Sequence, residues 1–284
     1  MDEQRCPVCE GATMRLFQKG EYWVRACDTC GHRLAEITPT DDHVARVYDD
    51  SYFCGGGAGY ADYLSEGSIL RAQGRRYGQT VCRHMAPGVV LDVGAAAGFI
   101  LLGLQDCGWK GVGIEPNARM AAHARDQLGM QVQAGTLEAF HSSDRFDLVT
   151  MIQVMPHFVD PKRSIQIVAE YTKSGGYCLI ETWNRASWTA WLFGSRWHEY
   201  SPPTVLHWFS PEGLERLMAA FGFHEVERGR PVKWLNGAHA KSLLRYKWNG
   251  SAWGRFMGRA VGIIPDWLHI PYPAEDLFWS LFKK

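Results

Sequence analysis

The sequence carries no excess of charge of either sign and no uncharged apolar run of membrane length. Thirty lysines and arginines offset thirty aspartates and glutamates over 284 residues, with a pI near 7.2. A chain devoted to nucleic acid concentrates positive charge on one face, so this balance places RNA and DNA low among the partner classes. No uncharged apolar stretch reaches the ~18 residues of a bilayer-spanning helix. The opening MDEQRCPVCE lacks the apolar core of a targeting segment, and the expectation is a cytoplasmic protein without a transmembrane span. Charged residues make up only 21% against 46% hydrophobic ones, which excludes wholesale disorder and supports a packed core. The length suits one large domain with an appendage.

Cysteine is present in two distinct uses. Cys54, Cys82, Cys107 and Cys178 are scattered and read as small core residues or free thiols. The other four form Cys6-x2-Cys9, a gap of 17 residues, and Cys27-x2-Cys30. Each pair makes a tight knuckle, and two knuckles supply four thiolates for a tetrahedral zinc ion. A disulfide framework is the alternative, and a cytoplasmic setting disfavours it. With all four positions filled by sulfur, the expected Zn2+ is structural, and His32 is a neighbour of the site.

The chain divides by character into a zinc ribbon (1–40), a polar and aromatic linker or lid (41–86) and a larger α/β domain (87–284). The linker contains CGGGAGY (54–60), with Tyr48, Tyr52, Phe53 and Tyr60 available to close over a site. From Val89 on, short apolar strands alternate with amphipathic helices. VVLDV, GVGIE, MQVQAG, RFDLVTMI and YCLIET read as strands. Helix boundaries are marked by Asp160-Pro161, Ser210-Pro211, Gly129 and Gly222. Such alternation predicts a doubly wound, mostly parallel sheet covered on both faces, with EDLFWSLFKK as an antiparallel last strand. Ligands of such sheets bind beyond the carboxyl ends of the strands.

The turn in VLDVGAAAGF (90–99) lacks two of the three glycines of a dinucleotide fingerprint, since Ala96 and Phe99 stand where glycine is needed. An acid followed by glycines two, four and six places on fits better: Asp92, Gly94 and Gly98 agree, and Ala96 alone departs. This pattern resembles the first motif of class I S-adenosylmethionine-dependent methyltransferases. Glu115 ends the second strand, AGTLEAF (134–140) follows the third, and IQVMPHFVDP (152–161) resembles that family's Val-Leu-Glu-His-x-x-Asp-Pro segment, with Pro156 in place of the acid. The linker YFCGGGAGYADY (52–63) is similar to that of the ubiquinone-biosynthesis-type group with an N-terminal zinc ribbon. The resemblance implies a Rossmann-like seven-stranded sheet, S-adenosylmethionine as cofactor and S-adenosylhomocysteine as product. It also implies cofactor contacts from Asp92, Gly94, Ala96, Gly98, Glu115, Pro116, Thr136, Leu137 and Gln153.

Two inserts, 183–209 and 231–274, stand outside the alternation and are expected to define the substrate. The first is dense in tryptophan, tyrosine and phenylalanine, which reads equally as a pocket for a planar, prenyl or sugar-ring substrate and as a small core over the sheet. The second has helical spacing from Trp253 to Ile264, read as a docked helix, with peripheral membrane contact as the alternative. Methyl transfer to a high-pKa oxygen benefits from a general base. His157 leads, and His198 and His207 are the other candidates. The expected activity is O-methylation of a small molecule such as a quinone or phenol, a prenyl compound or a sugar. RNA methylation and a non-catalytic, cofactor-binding adaptor are the alternatives, and no oligomeric state is implied.

Overall fold

A computed structural model of the chain describes residues 4–40, 43–54, 62–236, 265, 269–272 and 274–284. The CGGGAGY loop beyond Cys54 and the helix expected at 253–264 fall outside them. The chain begins with three antiparallel strands, β1 (Thr13–Lys19), β2 (Tyr22–Cys27) and β3 (Arg33–Glu36). One cysteine knuckle precedes β1 and the other joins β2 to β3, so strand pairing carries the two knuckles together. Helices α1 (His43–Val47) and α2 (Asp50–Cys54) lead to the long α3 (Gly67–Cys82).

The alternation then proceeds as β4 (Val89–Val93), α4 (Phe99–Gln105), β5 (Lys110–Glu115), α5 (Ala118–Leu128), β6 (Val132–Ala134), β7 (Phe146–Ile152), α6 (Pro161–Tyr171) and β8 (Thr172–Trp183). After α7 (Trp188–Phe193) and the two-residue β9 (His207–Trp208) come α8 (Pro211–Ala219), β10 (His224–Gly229), the ribbon β11 (Lys233–Asn236) with β12 (His269–Tyr272), and β13 (Leu277–Lys283). The seven-stranded sheet has the order β10-β13-β8-β7-β4-β5-β6. Strands β4 to β8 run parallel and β13 runs antiparallel between β8 and β10, as the sequence leads one to expect.

Local chemistry sets the boundaries. The side chains of Asn117, Asp160 and Ser210 accept the amides of Met120, Arg163 and Gly213, and Gly129 closes α5 in the left-handed conformation. Helices on both faces require both faces of the strands to be apolar. Val90 and Leu148 accordingly join one core cluster while their chain neighbours Leu91 and Val149 join the other. Gly175-Gly176 sits inside β8 as a bulge, where pairing to β7 jumps from Phe146↔Thr172 to Leu148↔Tyr177.

The ribbon is packed into the larger domain. Strand β9, from the aromatic insert, pairs antiparallel with β3 and completes a four-stranded sheet. Trp197, Tyr200 and Trp208 bury themselves against Val24 and Ala35 of the ribbon, while Cys6, Val8 and Cys27 share a core with Phe209 and Leu214. These aromatics of the insert therefore form a small core. Trp188 and Trp191 on α7 point outward, 72% and 71% exposed. No helix among the described residues is long and apolar enough to cross a membrane.

Candidate active site and metal centre

A cavity of about 200 Å³ opens at the carboxyl ends of β4, β5 and β7. Of the residues expected to contact a cofactor, Gly94, Ala96, Glu115, Pro116, Thr136, Leu137 and Gln153 line it, and so does His157. Tyr48, Tyr52, Phe53 and Tyr63 complete an aromatic wall from the segment after the ribbon. Asp92 and Gly98 belong to the same strand and turn, outside the lining.

The turn from β4 into α4 uses left-handed backbone three times, at Gly94 (φ 70°), Ala96 (φ 46°) and Gly98 (φ 82°). A Cβ on Gly94 would lie 2.5 Å from a methyl of Val154, so this position excludes a side chain on two counts. Ala96 adopts the same conformation with a methyl attached, at a steric cost. Its amide donates to Glu115 Oε2 at 2.8 Å, and the Asn117 amide donates to Glu115 Oε1 at 2.8 Å.

Two buried acids face this turn. Glu115 is 4% exposed, and burial pushes its carboxyl up to about 7 against the pull of the Asn117 and Ala96 amides. Burial likewise raises Asp92 to about 7; the Thr150 hydrogen bond opposes the rise and the neighbouring charge of Glu115 adds to it. The Thr150 hydroxyl donates to Asp92 Oδ1 at 2.6 Å, while Asp92 Oδ2 is buried without a partner. Buried acceptors held in this state await a donor.

The three candidate histidines separate. His157 Nδ1 lies 2.8 Å from the Thr204 carbonyl, which can only accept, so Nδ1 carries the proton, and the Gln153 carbonyl also lies close to the ring. Burial lowers its pKa, so the ring stays neutral. His198 lies on the insert surface, 56% exposed in its side chain, with Nε2 3.0 Å from Glu199. His207 is buried in β9, where Nδ1 meets His32 Nε2 at 3.2 Å, and burial lowers its pKa to about 4. Neither His198 nor His207 is among the lining residues.

Sequence reasoning missed Glu181, in the middle of a polar cluster behind the cavity. It is fully buried near the end of β8 and receives Gln73, Tyr77, Gln153 and Lys233. A signal was present in YCLIETW: an acid inside an otherwise apolar central strand is costly unless something needs it there.

The four knuckle cysteines converge, with all their sulfurs within 4.8 Å of one another. Cys6 and Cys30 sulfurs are 3.6 Å apart and those of Cys9 and Cys27 are 3.4 Å apart, too far for a disulfide. Sulfurs at about 2.3 Å from a central zinc ion stand ~3.8 Å from one another, so the donor set fits that metal in chemistry and size.

The sequence profile of the methyltransferase domain family matches residues 70–227, more than half of the chain. A ubiquinone biosynthesis O-methyltransferase of Rhodopseudomonas palustris is 28% identical over 132 residues, 45% of this chain and 50% of that protein. One of Alkalilimnicola ehrlichii is 32% identical over 103 residues, 34% of this chain and 42% of that protein. The chain thus spans about half the length, or less, of these curated relatives. In the fold, it is similar to a SAM-dependent methyltransferase of Thermotoga maritima, with a TM-score of 0.51 at 21% identity over 78% of this chain and 94% of that one.

Proposed function

The chain belongs to the methyltransferase domain family, and on that premise we propose that it transfers a methyl group from S-adenosylmethionine to a small molecule, with oxygen as the favoured acceptor. The observation that carries this reading is Glu115. It stands at the carboxyl end of β5 in the wall of the cavity, and each oxygen takes one backbone amide. A lone pair remains on each oxygen for a pair of ribose hydroxyls. The unpartnered Asp92 Oδ2 offers a further buried acceptor beneath the turn, suited to the cationic end of the cofactor. Gly135, Thr136 and Leu137 supply the wall for the adenine.

The cofactor supplies an electrophilic methyl on a sulfonium centre. With that methyl presented, an acceptor oxygen would take it by in-line displacement, the sulfur keeping the electron pair of the broken sulfur–carbon bond. The acceptor proton would pass to His157 Nε2, the unprotonated nitrogen of a ring whose Nδ1 is held by the Thr204 carbonyl. The aromatic wall of Tyr48, Tyr52, Phe53 and Tyr63 excludes water and aligns the acceptor. The relatives named as ubiquinone O-methyltransferases support the choice of oxygen. Cys6, Cys9, Cys27 and Cys30 hold a structural zinc ion in this reading, since four thiolates leave no open position for catalysis.

Calorimetry with S-adenosylhomocysteine tests the assignment. Wild-type protein should bind it, and Asp92→Ala and Glu115→Ala should each weaken binding. Tight NADH binding with no response to S-adenosylhomocysteine would overturn it.

A further inference from the structure

Glu181 is a buried acid solvated by side chains in place of water. Its Oε2 receives Gln73 Nε2 at 2.8 Å and the Tyr77 hydroxyl; its Oε1 receives Gln153 Nε2 at 2.8 Å and Lys233 Nζ at 2.6 Å. Two donors thus converge on each oxygen of a fully buried carboxylate. Burial pushes this carboxyl upward, and the Lys233 charge and the Gln73 hydrogen bond oppose that push. With the Lys233 ammonium, the Tyr77 hydroxyl and the Gln73 amino group aimed at it, the group is best satisfied as a carboxylate, an acceptor at every lone pair.

This fixes which way the Gln153 amide points. Turned the other way, its oxygen would face a carboxylate oxygen, so the amino group must lie toward Glu181 and Oε1 away from it. The backbone is pinned as well: the Gln153 amide donates to the Glu181 carbonyl at 2.9 Å, and Gln153 holds a left-handed φ of 61°. A side chain in that conformation is strained, and strain of this kind concentrates at ligand sites. The result is a carbonyl oxygen that is buried, has no partner and belongs to a residue lining the cavity. An orphaned acceptor is costly to leave unmade.

We propose that Gln153 Oε1 accepts a hydrogen bond from an N–H or O–H of the ligand in the cavity, and that Glu181 is the positioning residue that presents it. The site then selects molecules that carry a donor at that point and rejects those whose donor is removed or methylated. A site built to hydrogen-bond a donor discriminates strongly against the analogue lacking it. The inference rests on the methyl-transfer reading of the cavity. Under that reading the donor comes from one of two sources, the α-ammonium of the cofactor or a hydroxyl or amine of the methyl acceptor.

Paired probes separate the two. S-adenosylhomocysteine carries the ammonium and 5′-methylthioadenosine does not; phenol carries a hydroxyl and anisole does not. Binding of the first pair is measured by calorimetry, and of the second by saturation-transfer NMR on protein saturated with S-adenosylhomocysteine. Gln153→Met keeps the side-chain length without the amide oxygen. It should weaken the donor-bearing member of one pair at least ~10-fold, as expected for loss of one buried hydrogen bond, and spare its donor-free partner. Loss confined to S-adenosylhomocysteine assigns the ammonium, and loss confined to phenol assigns the acceptor. Glu181→Gln, which frees the amide to turn over, should shrink the same ratio. Equal shifts within both pairs, or none, would overturn the proposal. Should Gln153→Met not fold, Gln153→Asn withdraws the oxygen by one methylene and is read the same way. Failure of wild-type protein to bind S-adenosylhomocysteine sinks the methyl-transfer reading itself, and this inference with it.

Discussion

Glu115 Oε2 accepts the amide of Ala96 at 2.8 Å, and the residue offering that amide holds a left-handed φ of 46°. The carboxylate therefore does two things, locking a strained turn and facing the cavity. Ala96→Gly should remove the steric cost of the left-handed alanine, roughly 1–2 kcal/mol, and add back a glycine entropy cost of about 0.5–1 kcal/mol. Urea unfolding should find the two proteins within ~1 kcal/mol of each other, with S-adenosylhomocysteine affinity retained. Ala96→Val, β-branched at a positive φ, should lose about 1–3 kcal/mol and bind more weakly.

The sequence made the sheet legible and left the ribbon's attachment hidden, for a physical reason. Strands β4, β7 and β8 are rich in apolar residues and alternate with helices whose starts are marked by caps such as Asn117 and Asp160, so the alternation can be read along the chain. Strand β9 has two residues, His207 and Trp208, and its partners Arg33 and Leu34 lie over 170 positions away. No local pattern encodes such a pairing. The same holds for the Glu181 cluster, whose four donors come from α3, β11 and the end of β7. The turn after β4 was legible as spacing, whereas the conformation of Ala96 depends on backbone that composition does not reveal. Which aromatics of the insert face inward was equally invisible, since Trp188 and Trp197 look alike in sequence.

The paired acids predict a pH dependence. Asp92 and Glu115 are raised to about 7 in the fold from ordinary values of 3.8 and 4.5. Between those limits the folded protein binds more protons than the unfolded chain, so their contribution to stability falls as pH rises from about 4 to 7. His207, lowered by burial to about 4, slopes the other way, and Glu36 and Asp106, held near 2 by arginines, add stability that rises with pH only in the acid part of this range, up to about 5. The measurement is therefore a difference: Asp92→Asn should gain stability relative to wild type as pH rises from 5 to 8. Donors on the ligand favour the ionised acids, so S-adenosylhomocysteine should bind more tightly across the same interval. An affinity that is flat from pH 5 to 8 would contradict the assignment of these acids to the cofactor.

Metal removal should reach the cavity. Strand β3 follows the second knuckle, the Ala35 amide donates to the Leu206 carbonyl at 2.8 Å, and the Leu206 amide donates to the Pro156 carbonyl at 2.8 Å. Cys27→Ser, or a strong chelator, should release about one zinc per chain by metal analysis. The near-ultraviolet circular dichroism of buried Trp197 and Trp208 should fall with it, and the melting temperature should drop, because the ion supplies folding energy to so small a module. A ribbon that keeps its tryptophan signal and protease resistance in chelator would refute the zinc assignment.

The histidines separate base from scaffold. If His157 takes the acceptor proton through Nε2, His157→Ala should lower kcat by about 10²- to 10⁴-fold, the range for a positioned base. The affinity for S-adenosylhomocysteine should hardly move, because the imidazole would meet the acceptor and not the adenosine. The deficit should narrow as pH rises and the acceptor hydroxyl ionises unaided. His157→Gln, able to keep a hydrogen bond to Thr204 without a basic nitrogen, should be nearly as slow, which distinguishes a base from a brace. His207→Ala should act through stability instead, since its strand pairs with β3 and its buried ring stacks on His32 and is hydrogen-bonded to it. His198→Ala, on the exposed side of the insert, should leave kcat near wild type. If His198→Ala abolishes turnover and His157→Ala does not, proton transfer takes place at the insert, and the cavity at the end of β7 serves the cofactor alone.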